Sequence, residues 1–275
     1  MMSRYAIGLS LWWCLAPMAW GERAHVAVAA NFAPVMEILA PRFEAASGHR
    51  LLISYGSTGT LYAQIRNGAP FEVMLSADEQ RPRRLEQAGL GVPGSRFTYA
   101  LGRLVLWSRE PGWVQDAAAL AGDYRYLAIA NPRIAPYGVA ARQVLEKLGL
   151  WQALGERIVE GESVTQAYQF IASGNAELGF VALSQIQGRR GSYWPVGEDL
   201  YDPIAQQALL LVRGADNLAA RALLDYLQGQ EGRSLIQAAG YRLPAAGEWT
   251  AACADSGGQP SRVAIGRLFS AAGDG

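Results

Sequence analysis

Lysine is almost missing from this 275-residue chain. Lys147 stands alone among 24 basic residues, the others being arginine, and 24 acidic residues bring the formal net charge to +0. That balance excludes the basic footprint with which a nucleic-acid binder neutralises phosphates, so no nucleic-acid partner is expected. Cysteine and histidine are just as scarce, at two each. Cys14 falls in a leading segment read below as removable, which leaves Cys253 without an internal disulfide partner. His25 and His49 lie in no cluster with carboxylates, so no transition-metal site with direct protein ligands is recognisable. Neither histidine sits in a motif that would make it the base of a serine nucleophile. The sequence therefore predicts neither an enzyme nor a bound cofactor.

Long apolar runs are absent apart from one at the start. Residues 1–21 carry a basic beginning at Arg4, an apolar run from Tyr5 through Trp20, and small residues at Ala19 and Gly21. This pattern reads as a secretory signal peptide cleaved after Gly21, because the stretch from Ala6 to Pro17 is shorter than the roughly 20 residues that span a bilayer. Leu11, Trp12 and Trp13 stand before Cys14 where a lipoprotein would carry small residues. The expectation is an exported, periplasmic, soluble protein. The whole sequence is 51% hydrophobic and 17% charged, which describes a packed protein and not a disordered one.

From residue 25 onward strand and helix patterns alternate. Strands are predicted at 25–30, 51–54, 71–75, 103–107, 126–130, 157–160, 178–181 and 207–212. Helices are predicted at 32–47, 60–66, around 84–88, and at 139–148, 164–173, 218–227 and 234–239. Pro41 lies inside the first helix and should kink or divide it. Regular alternation argues for an α/β protein of mostly parallel sheets flanked by helices, and this length suits two lobes better than one very wide sheet. Two long extended stretches, 99–107 and 204–212, are the candidate crossings. They put residues 22–102 and 207–247 in lobe 1 and residues 103–206 in lobe 2, with a ligand cleft between. Residues 248–275, rich in Gly, Ala and Ser, read as a disordered or loosely docked tail.

Four helix starts carry the functional signal. In "SYGSTGTLYAQIRNG", residues 54–68, a Ser/Gly/Thr turn joins a strand to a helix; "VAVAANF" places Asn31 at a similar junction. "ANPRIAPYGVAARQVLEKLG" puts Tyr137 and Gly138 at a third, and "VEGESVTQAYQF" puts Ser163 and Val164 at a fourth. The first turn lacks the G-x-x-x-x-G-K-[ST] pattern, so it is no nucleotide loop. Each start alone is accounted for by an N-cap or an ordinary turn. Together, in two α/β lobes whose strand ends face one another, they offer unpaired N–H groups and positive dipole ends to one small anion.

With "VAVAANF", "SYGSTGTLYAQIRNGAPFEVMLSAD", "ANPRIAPYGVAARQVLEKLG" and "ELGFVAL" in this order, residues 24–244 resemble the substrate-binding protein of a molybdate ABC transporter, a type II periplasmic binding protein. The resemblance implies a two-lobed protein that takes molybdate or tungstate as the intact oxyanion, through hydroxyl and backbone N–H donors. It assigns contacts to Ala30, Asn31, Ser57, Thr58, Tyr137 and Val164, with the backbone N–H as donor at Ala30, Tyr137 and Val164. It also implies a membrane permease and ATPase as partners and a monomeric protein. Some members carry a tyrosine hydroxyl where this chain has Ala182, and several serines where it has Ser57 and Thr58. Another tetrahedral oxyanion such as sulfate, or a small organic anion, is the alternative ligand.

Overall fold

The computed structural model describes residues 21–245. Both cysteines, the tail from residue 248 and all but the last residue of the expected signal segment lie outside the described residues. The chain begins with β1 (Arg23–Ala29), a 3-10 turn (Ala30–Phe32), α1 (Ala33–Ser47), β2 (Arg50–Gly56), α2 (Thr58–Arg66), β3 (Val73–Leu75), α3 (Gln80–Gln87) and β4 (Phe97–Gly102). It continues with β5 (Leu104–Ser108), β6 (Leu127–Ala130), α4 (Pro136–Lys147), β7 (Ile158–Gly161), α5 (Val164–Ala172), β8 (Leu178–Ala182), α6 (Leu183–Ile186) and β9 (Ser192–Pro195). β10 (Ile204–Leu210), α7 (Leu218–Gln228) and α8 (Gln230–Ala238) complete it.

The strands form two 5-stranded sheets, ordered β2-β1-β3-β10-β4 and β7-β6-β8-β5-β9. Alternation of side chains splits the first sheet between two cores. Val26, Val28, Val73, Leu75, Ala208 and Leu210 face the cluster built with α1, α7 and α8. Ala27, Met74 and Leu209 face the opposite cluster, which includes Leu61 and Ile65 of α2 and Leu85 of α3. The second sheet is buried among α4, α5 and their neighbours in a third cluster, which Ala29 and Ala77 join from the first lobe.

The sheets are mixed, where the sequence predicts mostly parallel ones. β1 runs parallel to β2 and β3, and β6 parallel to β7 and β8, but β10 is antiparallel to β3 and β4, and β5 antiparallel to β8 and β9. The reason is the crossing. β4 and β9 end at the edge where the sheets face each other, so the strand that follows each crossing starts at that edge and must run away from it. The first crossing is short, with Arg103 alone between β4 and β5.

Pro41 does not divide its helix: α1 runs unbroken from Ala33 to Ser47 with Pro41 inside it. Pro41 and Glu37, whose carbonyl loses its helical amide partner, are both exposed, so water can satisfy that carbonyl.

Candidate functional site

The strand ends set the site. β1 stops at Ala29 and the chain turns at once through the 3-10 turn into α1, whose first residues are Ala33 and Pro34. β2 stops at Gly56, and Ser57 caps α2 by accepting from the N–H of Thr60. From the other sheet, β7 leads through Ser163, which caps α5 by accepting from the N–H of Gln166. α4 begins at Pro136, and Gly138 allows it to sit against the end of β6: a Cβ there would fall 2.1 Å from the carbonyl oxygen of Ala130. Ala30, Asn31, Thr58, Tyr137 and Val164 thus occupy first-turn positions, where an N–H has no carbonyl partner within its own helix.

One cavity collects these starts. Its walls are Ala29, Ala30, Asn31, Gly56, Ser57, Thr58, Ala77, Ala135, Pro136, Tyr137, Ser163 and Val164, so all six residues expected from the sequence line it. None of these side chains is charged. The cavity is small, about 10 Å³, far below what an organic metabolite needs. A wider crevice of about 370 Å³ adjoins it, sharing Ala77 and Pro136. Asp78, Glu79 and Asp202 outnumber Arg81 and Arg133 along that crevice, so a dianion finds no favourable field there. Chemistry, not volume, selects the smaller cavity.

The hydroxyls are arranged to leave protons available. Thr58 Oγ1 accepts from the N–H of Ala77 at 3.0 Å, and Thr58 is 1% exposed. Ser57 Oγ accepts from the N–H of Thr60 and lies 2.7 Å from Thr60 Oγ1, which can act as the donor of that pair. Capping and anion contact are therefore compatible at Ser57: the cap uses a lone pair and the contact uses the proton.

Asn31 behaves differently from its hydroxylic neighbours. Its Nδ2 donates to Gln206 Oε1 at 2.9 Å and to the hydroxyl of Tyr241 at 2.9 Å. The side chain has no third N–H, so the donor Asn31 keeps for an anion is its backbone N–H. Gln206 Oε1 also accepts from Tyr99, and Gln206 Nε2 donates to the Tyr137 hydroxyl at 3.4 Å. Tyr241 donates to the carbonyl of Asn31 at 2.9 Å, where Ser184 Oγ also donates at 3.1 Å. Burial pushes the phenols of Tyr99 and Tyr137 well above the ordinary tyrosine range. It pushes Tyr241 up to about 12, against the downward pull of hydrogen bonds with Ser184, Asn31 and Gln206. At neutral pH this whole network is uncharged. Gln206, Tyr241, Tyr99 and Ser184 carry no local motif, and the sequence gives no signal that they converge on Asn31.

Ala182 does not line the cavity; it is fully buried, and its N–H donates to Gln185 Oε1 at 3.2 Å. Among the described residues no three His, Cys, Asp or Glu side chains converge as a metal-binding group, and no helix is long and apolar enough to cross a membrane.

Two α/β lobes that meet around a small cavity lined by helix starts and without a charged side chain define a solute-binding protein, in which a ligand is held between lobes at strand ends. The family model of the bacterial extracellular solute-binding protein matches residues 24–242, and the chain belongs to that family. It is 52% identical over 244 residues to the molybdate-binding protein ModA of Azotobacter vinelandii, covering 86% of this chain and 96% of that protein. It is 48% identical over 227 residues to ModA of Rhodobacter capsulatus, covering 82% and 90%. The solved structure of the Azotobacter vinelandii periplasmic molybdate-binding protein superposes with a TM-score of 0.78 at 48% identity, covering 80% of this chain and 99% of that one.

Proposed function

We propose that this protein is the periplasmic substrate-binding component of a molybdate ABC transporter, capturing molybdate, and tungstate with it, as the intact oxyanion. The observation that carries the reading is the convergence of four helical starts, two from each lobe, on one small cavity without a charged side chain. The names of the relatives at about half identity point the same way. In this reading Ala30, Asn31, Tyr137 and Val164 contribute backbone N–H groups, and Ser57 and Thr58 contribute hydroxyls.

Neutral donors are enough. A hydrogen bond to a charged group contributes roughly 1.5–3 kcal/mol, and a favourable helix end roughly 0.3–1 kcal/mol, up to about 2 when partly buried. Several together exceed the ~8 kcal/mol of micromolar affinity after the entropic cost of closing. A cage made mostly of donors has little to offer a protonated oxygen, whose O–H needs an acceptor. It therefore favours a fully ionised tetrahedral dianion over hydrogen phosphate.

The reading extends to the cell. Residues 1–21 direct export, the mature protein works as a monomer, and a permease with its ATPase receives the ligand. Residues 22–102 with 207–247 and residues 103–206 are the two bodies that close on it, closure being the state a transporter can recognise. The deciding experiment is titration calorimetry of the chain from Glu22 at neutral pH against molybdate, tungstate, sulfate and phosphate. Tight one-to-one binding of the first two, with weak sulfate and phosphate, is the expected result. Tight sulfate binding would reassign the oxyanion, and silence toward all four would turn the search to small organic anions.

A further inference from the structure

Thr165 follows Val164 at the start of α5, and its hydroxyl reaches out of the second lobe into the first. Oγ1 donates to the carbonyl of Ala30 at 3.0 Å and accepts from Gln185 Nε2 at 3.0 Å. Gln185 Oε1 in turn accepts from the N–H of Ala182 at 3.2 Å. The carbonyl of Ala30 and the N–H of Asn31 belong to one peptide group, and Asn31 is a wall of the cavity.

We propose that Thr165, held by Gln185, is a positioning residue that couples closure of the lobes to capture of the anion; this rests on the oxyanion reading of the cavity. Every link of the chain runs donor to acceptor in one direction, from Ala182 N–H through Gln185 and Thr165 to Ala30, and ends on the peptide whose N–H belongs to Asn31, a donor to the anion in the oxyanion reading. Hydrogen bonds in series polarise one another, so an amide whose carbonyl is engaged is a better donor at its nitrogen. The bond from Thr165 joins the two lobes and forms only when they meet. One helix start thus supplies a donor directly, at Val164, and strengthens an opposing one, at Asn31. The contact between Gly59 N–H and the carbonyl of Ile134, at 2.8 Å, also joins the lobes but lacks this property. The peptide of Ile134 carries the N–H of Ala135, which is bonded to Asn131.

The test compares the mature wild type with Thr165→Val and Thr165→Ser by calorimetry and stopped-flow kinetics with molybdate, together with thermal unfolding without ligand. Thr165→Val should lose about tenfold in affinity, the size of one buried hydrogen bond, with the carbonyl of Ala30 keeping only its bond from the N–H of Ala33. The loss should appear in the dissociation rate, with the ligand-free unfolding midpoint unmoved, and Thr165→Ser should restore it. Wild-type affinity in Thr165→Val overturns the proposal, as does an equal loss in Thr165→Ser or a ligand-free destabilisation that matches the affinity loss. Should Thr165→Val not fold, Gln185→Met removes the donor behind Thr165, and a faster dissociation in that variant supports the coupling while an unchanged rate overturns it. The wild-type arm keeps the two ideas apart: binding there with no effect of Thr165 sinks the coupling alone, and no binding of any oxyanion sinks the functional reading beneath it.

Discussion

The hydroxyl of Thr58 and the backbone N–H of Ala77 are joined by a hydrogen bond of 3.0 Å, in which Thr58 accepts. Because its lone pair is spent on a neighbouring strand end, its proton is free to point into the cavity that both residues line. Ser57 divides its functions in the same way, with its lone pair on the N–H of Thr60. Thr58→Val removes the acceptor for Ala77 and the donor for the anion together. It should lower stability by roughly 1–3 kcal/mol and oxyanion affinity by a similar energy. Ser57→Ala should cost about 1 kcal/mol of stability through the lost cap and weaken binding as well. Urea unfolding beside calorimetry separates the two effects. An unchanged affinity in Ser57→Ala would make that residue a cap and nothing more.

At Gly59 the lobes touch backbone to backbone, its N–H donating to the carbonyl of Ile134 at 2.8 Å. A Cβ built on it would lie 2.8 Å from the carbonyl oxygen of Ile134 and 2.9 Å from its Cα, both backbone atoms of the other lobe. Backbone cannot swing aside as a flexible side chain can. Gly59→Ala should therefore hold the lobes apart while leaving each lobe folded, since alanine is the better helix former at this position in α2. The expected outcome is a loss of roughly 1–3 kcal/mol in binding, the usual cost of overpacking, with no loss of ligand-free stability. Small-angle scattering with saturating molybdate should show less compaction than in the wild type.

Much of this molecule is legible in the sequence because its signals are local. The helix starts at Ser57 and Ser163 announce themselves by a capping residue after a strand, and the alternation of strand and helix brings them to one edge. The direction of β5 and β10 is not legible, because an apolar strand reads the same whichever way its neighbours run. The true occupation of the Asn31 amide is equally hidden. Its partners, Gln206 and Tyr241, lie 175 and 210 residues away, and nothing near either residue distinguishes it from an ordinary core polar group. Local pattern finds donors at helix starts; the buried network that orients them is a property of the closed fold.

The phenols of that network set an alkaline limit. Tyr241 titrates near 12 in the fold because burial disfavours its phenolate, and burial raises Tyr99 and Tyr137 as well. A group held neutral in the fold stabilises it fully while the unfolded chain is also neutral, below a pH of about 10. Above that the unfolded chain releases protons and the native one does not, so stability falls as pH rises toward about 12 for Tyr241. From these groups stability should be level between about pH 7 and 9 and decline beyond 10. Tyr241→Phe should reduce the alkaline decline while lowering stability at neutral pH, where its hydrogen bonds to Asn31 and Ser184 are lost. Chemical denaturation across that range checks both signs.

Gln206 is fully buried on β10 and serves both lobes at once, accepting from Asn31 and Tyr99 while donating toward Tyr137. Gln206→Leu would leave the Asn31 and Tyr99 donors short of an acceptor, at roughly 1–3 kcal/mol for each buried donor left unsatisfied. Tyr99 is partly rescued by the carbonyl of Ser76, which its hydroxyl also reaches at 3.3 Å. Gln206→Glu separates shape from charge. The carboxyl keeps an acceptor for Asn31 but can ionise beneath a cavity built for a dianion, so like charge and burial both drive it to stay protonated. Anion binding by Gln206→Glu should then weaken as pH rises from about 5 to 8, whereas the wild type, whose network tyrosines stay neutral there, should show no such slope. Calorimetry of both proteins over that range decides it. A flat profile in the Glu variant would mean that position 206 is electrostatically remote from the ligand, and that its part is confined to holding Asn31 in place.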